Sequence, residues 1–192
     1  ITGAISAQNE RSGICMGSLL PDVIIRKVKQ EDLPALEWDG EFSHFRRLYG
    51  EAYRRSLLGE AVLWLAEYPG KGVIGQLFVH LKSERPELAD GKSRGYIYGF
   101  RVRPAYRDKG VGTRLLRTAE EDLLKGGYRF TVLNVGRDNP DARRLYERNG
   151  YRVVGNDPGN WYFIDDRGVR RDVHEPAWRM QKSLDHHQEV AY

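Results

Sequence analysis

Phe100-Arg-Val-Arg-Pro-Ala-Tyr-Arg-Asp-Lys-Gly-Val-Gly112 is the stretch on which the fold turns. An apolar, strand-like run enters Pro104. An Arg-x-x-Gly-x-Gly turn follows, with Arg107, Gly110 and Gly112, and a helical pattern begins inside it. Two close glycines let a backbone fold tightly around an anion, with no Cβ in the way. The first N–H groups of a helix have no intrahelical partner and carry the positive end of its dipole. Strand end, glycine turn and helix start together read as a diphosphate cradle.

Working outward from that turn, Tyr96 to Val102 reads as the strand feeding it. Val111, Leu115, Leu116, Ala119 and Leu123 mark one face of the helix leaving it, which stops at Gly126-Gly127. Phe130 to Val135 is a further strand. Asp138-Asn139-Pro140 opens a helix with a capping side chain and a proline at its first position, and Asn149-Gly150 closes it. Upstream, Val23 to Val28 reads as a strand and Asp32 to Leu36 as a first helix start. Phe42, Phe45, Leu48, Tyr49, Ala52 and Tyr53 give an amphipathic second helix. Ala61 to Ala66 and Val73 to Leu81, parted by Pro69-Gly70-Lys71-Gly72, form a hairpin, and Leu81 to Gly95 is a loop. Downstream, Tyr151 to Val154 returns as a strand. Trp161 to Ile164 and Val169 to Val173 make a hairpin around Asp165-Asp166-Arg167-Gly168, and Trp178 to Gln181 is a last strand. The pattern predicts an α/β fold, a mixed central sheet flanked by helices around a core without acids.

Composition sets the bounds. A chain of 192 residues reads as one domain with tails: residues 1–20 a tail or leader, 21–183 the domain, 184–192 a C-terminal tail. Residues 1–15 look unlike the rest, and Met16-Gly17-Ser18 reads as a natural start. No apolar run approaches the roughly 18 residues of a membrane span, and no signal-peptide pattern opens the chain. The one cysteine, Cys15, has no internal partner, and no Cys/His spacing suggests a metal. The expectation is a cytoplasmic protein without metal and without membrane contact. A net charge of +4 suits an anionic cofactor but is too small and dispersed to argue for nucleic acid.

A tight, glycine-poor cradle opening straight from a strand suggests coenzyme A more than a nucleotide. Downstream of it, Asn139, Ala142, Leu145-Tyr146-Glu147 and Asn149-Gly150-Tyr151 follow in order. On these two blocks the chain resembles the GCN5-related N-acetyltransferase (GNAT) superfamily, over roughly Val23 to Lys182. The resemblance implies an acetyl-CoA-dependent N-acetyltransferase. Main-chain groups of Phe100, Arg101 and Val102 would bind the acetyl-pantetheine arm, with the Val102 N–H on the thioester carbonyl. The diphosphate would lie on Arg107, Asp108, Lys109, Gly110, Val111, Gly112 and Thr113. Asn139 would hydrogen-bond the pantetheine arm besides capping its helix. Tyr146 would protonate the departing thiolate, since a phenol with an ordinary pKa near ~10 can donate at neutral pH. Its other reading is a buried packing aromatic.

The proton acceptor is where this chain departs from the family. Several members carry a glutamate on the strand before the cofactor loop, or five residues before the asparagine. Here those places hold Tyr96, Tyr98 and Gly99, and Asn134. A water chain ordered by Asn134 or Tyr98 is one route. An acid from Glu37-Trp38-Asp39-Gly40-Glu41, or Glu175, His44 or His174, is another. The acceptor would be walled by Trp38, Phe42, His44, Phe45, Trp161 and Tyr162. Glu37, Asp39 and Glu41 there either attract a cationic amine or simply cap a helix. The amine would be a peptide or protein N-terminus, or a small amine such as a polyamine or amino sugar. Attack would be direct, in a ternary complex, because Cys15 is a poor acyl carrier. The hairpin after Trp161 could serve as a lid or a homodimer contact. Two other readings stay open: a non-catalytic acyl-CoA-binding or regulatory module, and a nucleotide-phosphate binder. Against the last, Gly112 is followed by Thr113-Arg114 and not by the Lys-Ser/Thr of a P-loop.

Overall fold

The computed structural model describes residues 20–185. Cys15, Met16 and residues 186–192 lie outside the described residues, with the leader and tail readings that rest on them. Among the described residues, nine strands and three α-helices follow one another. These are β1 (Ile24–Lys27), α1 (Arg46–Leu57), β2 (Ala61–Tyr68), β3 (Gly72–His80), β4 (Arg94–Val102), α2 (Val111–Lys125), β5 (Phe130–Gly136), α3 (Pro140–Arg148), β6 (Arg152–Asp157), β7 (Asn160–Ile164), β8 (Arg170–His174) and β9 (Ala177–Ser183). Seven strands form one sheet in the order β1-β2-β3-β4-β5-β9-β6, and β7-β8 is a separate two-stranded sheet. Among the described residues only β4 and β5 pair in parallel, so the sheet is mixed as expected. The last strand, β9, returns between β5 and β6. The β7-β8 hairpin is therefore an excursion that leaves the sheet after β6 and re-enters through β9.

Two clusters pack on the two faces. On one, α2 lays Val111, Leu115, Leu116 and Ala119 against Leu77, Ile97 and Leu133. Leu115 and Leu116 are fully buried, and shortening either to Ala costs about 2–5 kcal/mol in such a core. On the other, Tyr49 and Ala52 of α1 cover Leu63, Leu65 and Phe78.

Three expectations are corrected. The first helix is a 3-10 segment, Gln30–Glu37, and not α: Pro34 inside it has no N–H to give. It ends at Trp38, the first of three successive left-handed residues, Trp38 (φ 48°), Asp39 (φ 59°) and Gly40 (φ 97°). The second helix accordingly starts late, at Arg46, after a 3-10 turn at Ser43–Phe45. The core also holds acids, Glu120 at 7% exposure and Asp157 at 2%. Each is paired, which is what burying a carboxylate requires. Glu120 accepts from Tyr151 Oη at 2.8 Å and Lys182 Nζ at 2.6 Å. Asp157 accepts from Arg85 at 2.6 Å and Arg179 at 3.1 Å, tying the loop after β3 to the far side of the sheet.

Candidate active site

The site begins where two strands part. β4 and β5 pair from Arg94 opposite Phe130 to Ile97 opposite Leu133, and no further. Beyond that point β4 keeps only β3 and β5 keeps only β9. A wedge opens between them, and its β4 wall has an unpaired backbone edge.

Gly99 shapes that wall. The pairing with β3 shifts register between Gln76 and Phe78, and Gly99 takes a left-handed φ of 58° opposite the shift. A Cβ there would also come within 3.0 Å of the Phe78 ring. The bulge puts Tyr98 and Arg101 on the α1 face and Phe100 and Val102 on the α2 face. Arg103 N donates to Ile74 O at 2.8 Å, so its main chain faces β3. By strand alternation the Val102 N–H faces the wedge, and so does the Val102 carbonyl, which accepts from Arg107 Nε at 3.0 Å. The same alternation turns the Arg101 main chain toward Gln76 on β3, its register partner. Arg101 therefore offers the wedge no main-chain group, contrary to expectation, and only its side chain remains to act.

The cradle follows at once. A 3-10 turn at Pro104–Tyr106 leads into extended Arg107, left-handed Asp108 (φ 58°) and left-handed Gly110 (φ 78°). The first hydrogen bond into α2 is Arg114 N to Gly110 O at 3.0 Å, and the N–H groups of residues 108–113 donate no hydrogen bond among the described residues. A run of free donors at a helix N-terminus is an anion site by construction. Most of the crowded arginines are engaged elsewhere. Arg114 donates to Leu20 O and Val23 O, Arg103 to Val73 O and Asp39, and Arg107 to Val102 O. Lys109 and Arg117 are exposed and make no ion pair among the described residues.

Asn139 caps α3, its Oδ1 accepting from Ala142 N at 3.1 Å, and its exposed amide nitrogen is left to donate. About two turns further along α3, Tyr146 is 8% exposed, between the rings of Phe100 (6.1 Å) and Tyr151 (5.8 Å). Burial raises its hydroxyl well above the usual phenol range, with the Tyr96 hydroxyl adding to the effect. That keeps the proton on Tyr146 at any physiological pH.

On the opposite face lies a polar ladder that the sequence does not advertise. His80 stacks on Tyr98 (4.0 Å, 10°), and Tyr98 lies parallel to Tyr96 (6.2 Å). His80 Nδ1, the Tyr98 hydroxyl and Asn134 Oδ1 are all buried without a partner among the described residues. Burial, and next the Arg55 charge, lower the His80 pKa to about 4, so the ring is neutral at pH 7. Burial raises Tyr96 to about 12 and Tyr98 further. Of these residues, His80 gave no signal: a lone histidine at the end of an apolar strand has no spacing to mark it.

Two of the three acids of the acceptor wall are not free, while Glu41 makes no ion pair among the described residues. Glu37 holds Arg46 through two bonds of 2.7 and 2.8 Å, and Asp39 holds Arg103 at 3.1 Å. Phe163 of β7 packs on Phe45 (4.8 Å) and His44 (5.9 Å), bringing the hairpin against this wall, while Tyr162 is exposed. His174 pairs with Asn160 within the hairpin. Among the described residues, no three His, Cys, Asp or Glu side chains cluster as a metal site, and no helix is long and apolar enough to cross a membrane.

A splayed β4-β5 pair, a β4 bulge and a glycine turn capping α2 define the GNAT architecture. Residues 26–151 match the family model described as Acetyltransferase (GNAT) family, and the chain belongs to that family. It is 30% identical over 90 residues to the N-acetyltransferase YycN of Bacillus subtilis, covering 47% of this chain and 54% of that protein. It is 30% identical over 100 residues to GCN5-related N-acetyltransferase 6, chloroplastic, of Arabidopsis thaliana, covering 52% of this chain and 32% of that one. The match thus spans about half of the first relative's length and a third of the second's. The ribosomal-protein-S18-alanine N-acetyltransferase from Escherichia coli superposes with a TM-score of 0.63 at 19% identity, over 88% of this chain and 99% of that chain, a likeness of fold.

Proposed function

We propose that this protein is an acetyl-CoA-dependent N-acetyltransferase that moves an acetyl group to a primary amine by direct attack in a ternary complex. The observation that carries this reading is the continuity of wedge and cradle: an unpaired β4 edge runs into the free N–H groups of residues 108–113, with Tyr146 beside the same edge.

In this reading the N–H groups of Asp108, Lys109, Gly110, Val111, Gly112 and Thr113 hold the diphosphate, and Arg107 braces the turn through Val102 O. Phe100 and Val102 offer main-chain groups to the pantetheine arm, and the Asn139 amide donates from the α3 side. The Val102 N–H stabilises negative charge developing on the thioester oxygen. Tyr146 gives its proton to the departing thiolate. The amine enters from the α1 face, past Tyr96, Tyr98 and Asn134, where no carboxylate stands ready. It must arrive neutral, or lose its proton to water ordered by those groups.

The test is thiol release from acetyl-CoA across a panel of amines, for the wild type and Tyr146→Phe. Release that depends on the amine and falls in the variant supports the reading. CoA binding with no release for any amine, unchanged by Tyr146→Phe, leaves a binding module.

A further inference from the structure

The geometry points to an anion-reading subsite formed by Arg101 and Trp38 on the acceptor side of the wedge, so that the amine acetylated here also carries a carboxylate. This rests on the transferase reading above for its substrate and on the following observations for its site.

Arg101 is a largely buried cation with no ion-pair partner among the described residues; the Glu41 charge favours it only from a distance. One guanidinium nitrogen, Nη2, donates to Tyr49 Oη at 2.7 Å. The other, Nη1, is buried without a partner. No carboxylate lies within ion-pair distance of it among the described residues. The guanidinium is roofed by aromatics instead, its carbon 3.8 Å from the Phe42 ring centre, 5.4 Å from Phe45 and 5.9 Å from Tyr49. Those faces recover part of the lost hydration, but they accept no hydrogen bond in the plane of the fork. Burial pushes the Arg101 pKa down, the mark of a charge held in short supply of partners.

Trp38 supplies a second, independent sign. It is 4% exposed, its ring centre is 6.0 Å from the Arg101 guanidinium carbon, and its Nε1 is also buried without a partner. Two orphaned donors thus share one aromatic cage, and buried donors without acceptors are costly enough that native proteins rarely keep them. Of the nearby acids, Glu37 is taken by Arg46 and Asp39 by Arg103, and Glu41, whose charge favours the Arg101 cation, forms no ion pair with it among the described residues.

Trp38, Asp39 and Gly40 are three successive left-handed residues, followed after Glu41 by Phe42, which covers the guanidinium. A carboxylate entering beneath Phe42 would give both donors an acceptor, and a planar fork suits a carboxylate. Arg101 neighbours Val102 on the strand and projects to the face from which the amine enters. An anion held there leaves the amine of the same molecule to reach the wedge.

The experiment uses the full chain with acetyl-CoA and matched acceptors: ω-amino acids from glycine to γ-aminobutyrate, each beside the straight-chain amine of equal carbon number. The expected result is a kcat/KM advantage of about 10- to 100-fold for the carboxylated member at the best length. The advantage should shrink in Arg101→Lys, vanish in Arg101→Gln, and fall in Trp38→Phe mainly through KM. Should Arg101→Gln not fold, Trp38→Phe and Arg101→Lys still decide the matter. Equal rates within every pair overturn the subsite and leave the transferase. A second measurement needs no turnover: saturable quenching of tryptophan fluorescence by glutarate, absent in Trp38→Phe and weakened in Arg101→Lys. Quenching without turnover of any amine sinks the transferase reading and keeps the subsite. Neither quenching nor preference sinks the subsite. An equal preference in Glu41→Gln is expected; a preference that appears only on removing Glu41 would make that side chain the native partner and overturn the proposal.

Discussion

The Tyr146 ring on α3 lies 6.1 Å from the Phe100 ring on β4, tilted by 48°, and so spans the gap where β4 and β5 part. Its hydroxyl makes no hydrogen bond among the described residues, and it is absent from the fully sealed orphan atoms that include the Tyr98 hydroxyl. A phenol held by packing alone, with its oxygen free, suits proton donation to a ligand in the wedge. Tyr146→Phe should lower kcat by about 10²-fold with KM for acetyl-CoA nearly unchanged. Stability should change by no more than about 0.5 kcal/mol, because no internal bond is lost. Because burial holds the proton on, no falling limb in the wild-type pH–rate profile should arise from Tyr146 below about pH 10. Stopped thiol-release assays and a urea titration check all three.

The two glycines of the turn should respond differently. Gly110 sits at φ 78°, where an L side chain costs about 1–2 kcal/mol. Gly110→Ala should lose about that much stability and raise KM for acetyl-CoA severalfold, by turning neighbouring N–H groups off the diphosphate. Gly112 has an ordinary φ, and a Cβ there would rest 3.4 Å from the Phe100 ring and point into the α2-side core. Gly112→Ala should stay within about 0.5 kcal/mol and keep its acetyl-CoA affinity. Calorimetric titration with CoA and thermal melts separate the pair. Unchanged CoA affinity in Gly110→Ala would mean that the cradle does not hold the ligand.

What the sequence told and withheld follows from the range of the interactions involved. The cradle was legible because its parts are local: a strand, a proline, two glycines and a helix start lie within 13 residues of chain. The Asn139 cap and the β7-β8 hairpin were legible for the same reason. The Arg101 main chain was misassigned because the Gly99 bulge, which sets which residues face the wedge, depends on pairing with β3. Whether Glu37 and Asp39 attract a cation or serve the fold is not readable locally, because their partners, Arg46 and Arg103, are 9 and 64 residues away. The His80–Tyr98 stack joins residues from two strands, and no spacing announces it.

His80 should make stability depend on pH. Its folded-state pKa is lowered to about 4 by burial and then by Arg55, against about 6.5 when unfolded. The unfolded chain therefore takes up a proton first as pH falls. The stabilising difference is fully present above pH 6.5 and is lost as pH drops toward 4, in total about 3 kcal/mol. His80→Phe keeps an aromatic ring on Tyr98 and cannot titrate. Urea midpoints between pH 7 and pH 4.5 should fall for the wild type and hold steadier for the variant. Parallel curves for the two proteins would place the buried histidine in water.

The missing carboxylate has a kinetic consequence. If no side chain near Asn134 takes the ammonium proton with a pKa of its own, the acceptor must lose that proton largely by itself. The rising limb of kcat/KM with pH should then follow the pKa of the amine. An acceptor whose amine titrates about two units lower should move that limb about two units down. The neutral ladder cannot shift it: Tyr96 and Tyr98 are held protonated by burial, and His80 has already lost its proton. Asn134→Ala should lower kcat by severalfold without moving the limb, since an amide can order water but cannot titrate. Profiles for two amines of different basicity, for the wild type and Asn134→Ala, decide it. A limb fixed at one pH for both amines would show an enzyme base at work, with His44 and Glu41 on the acceptor wall the first residues to replace.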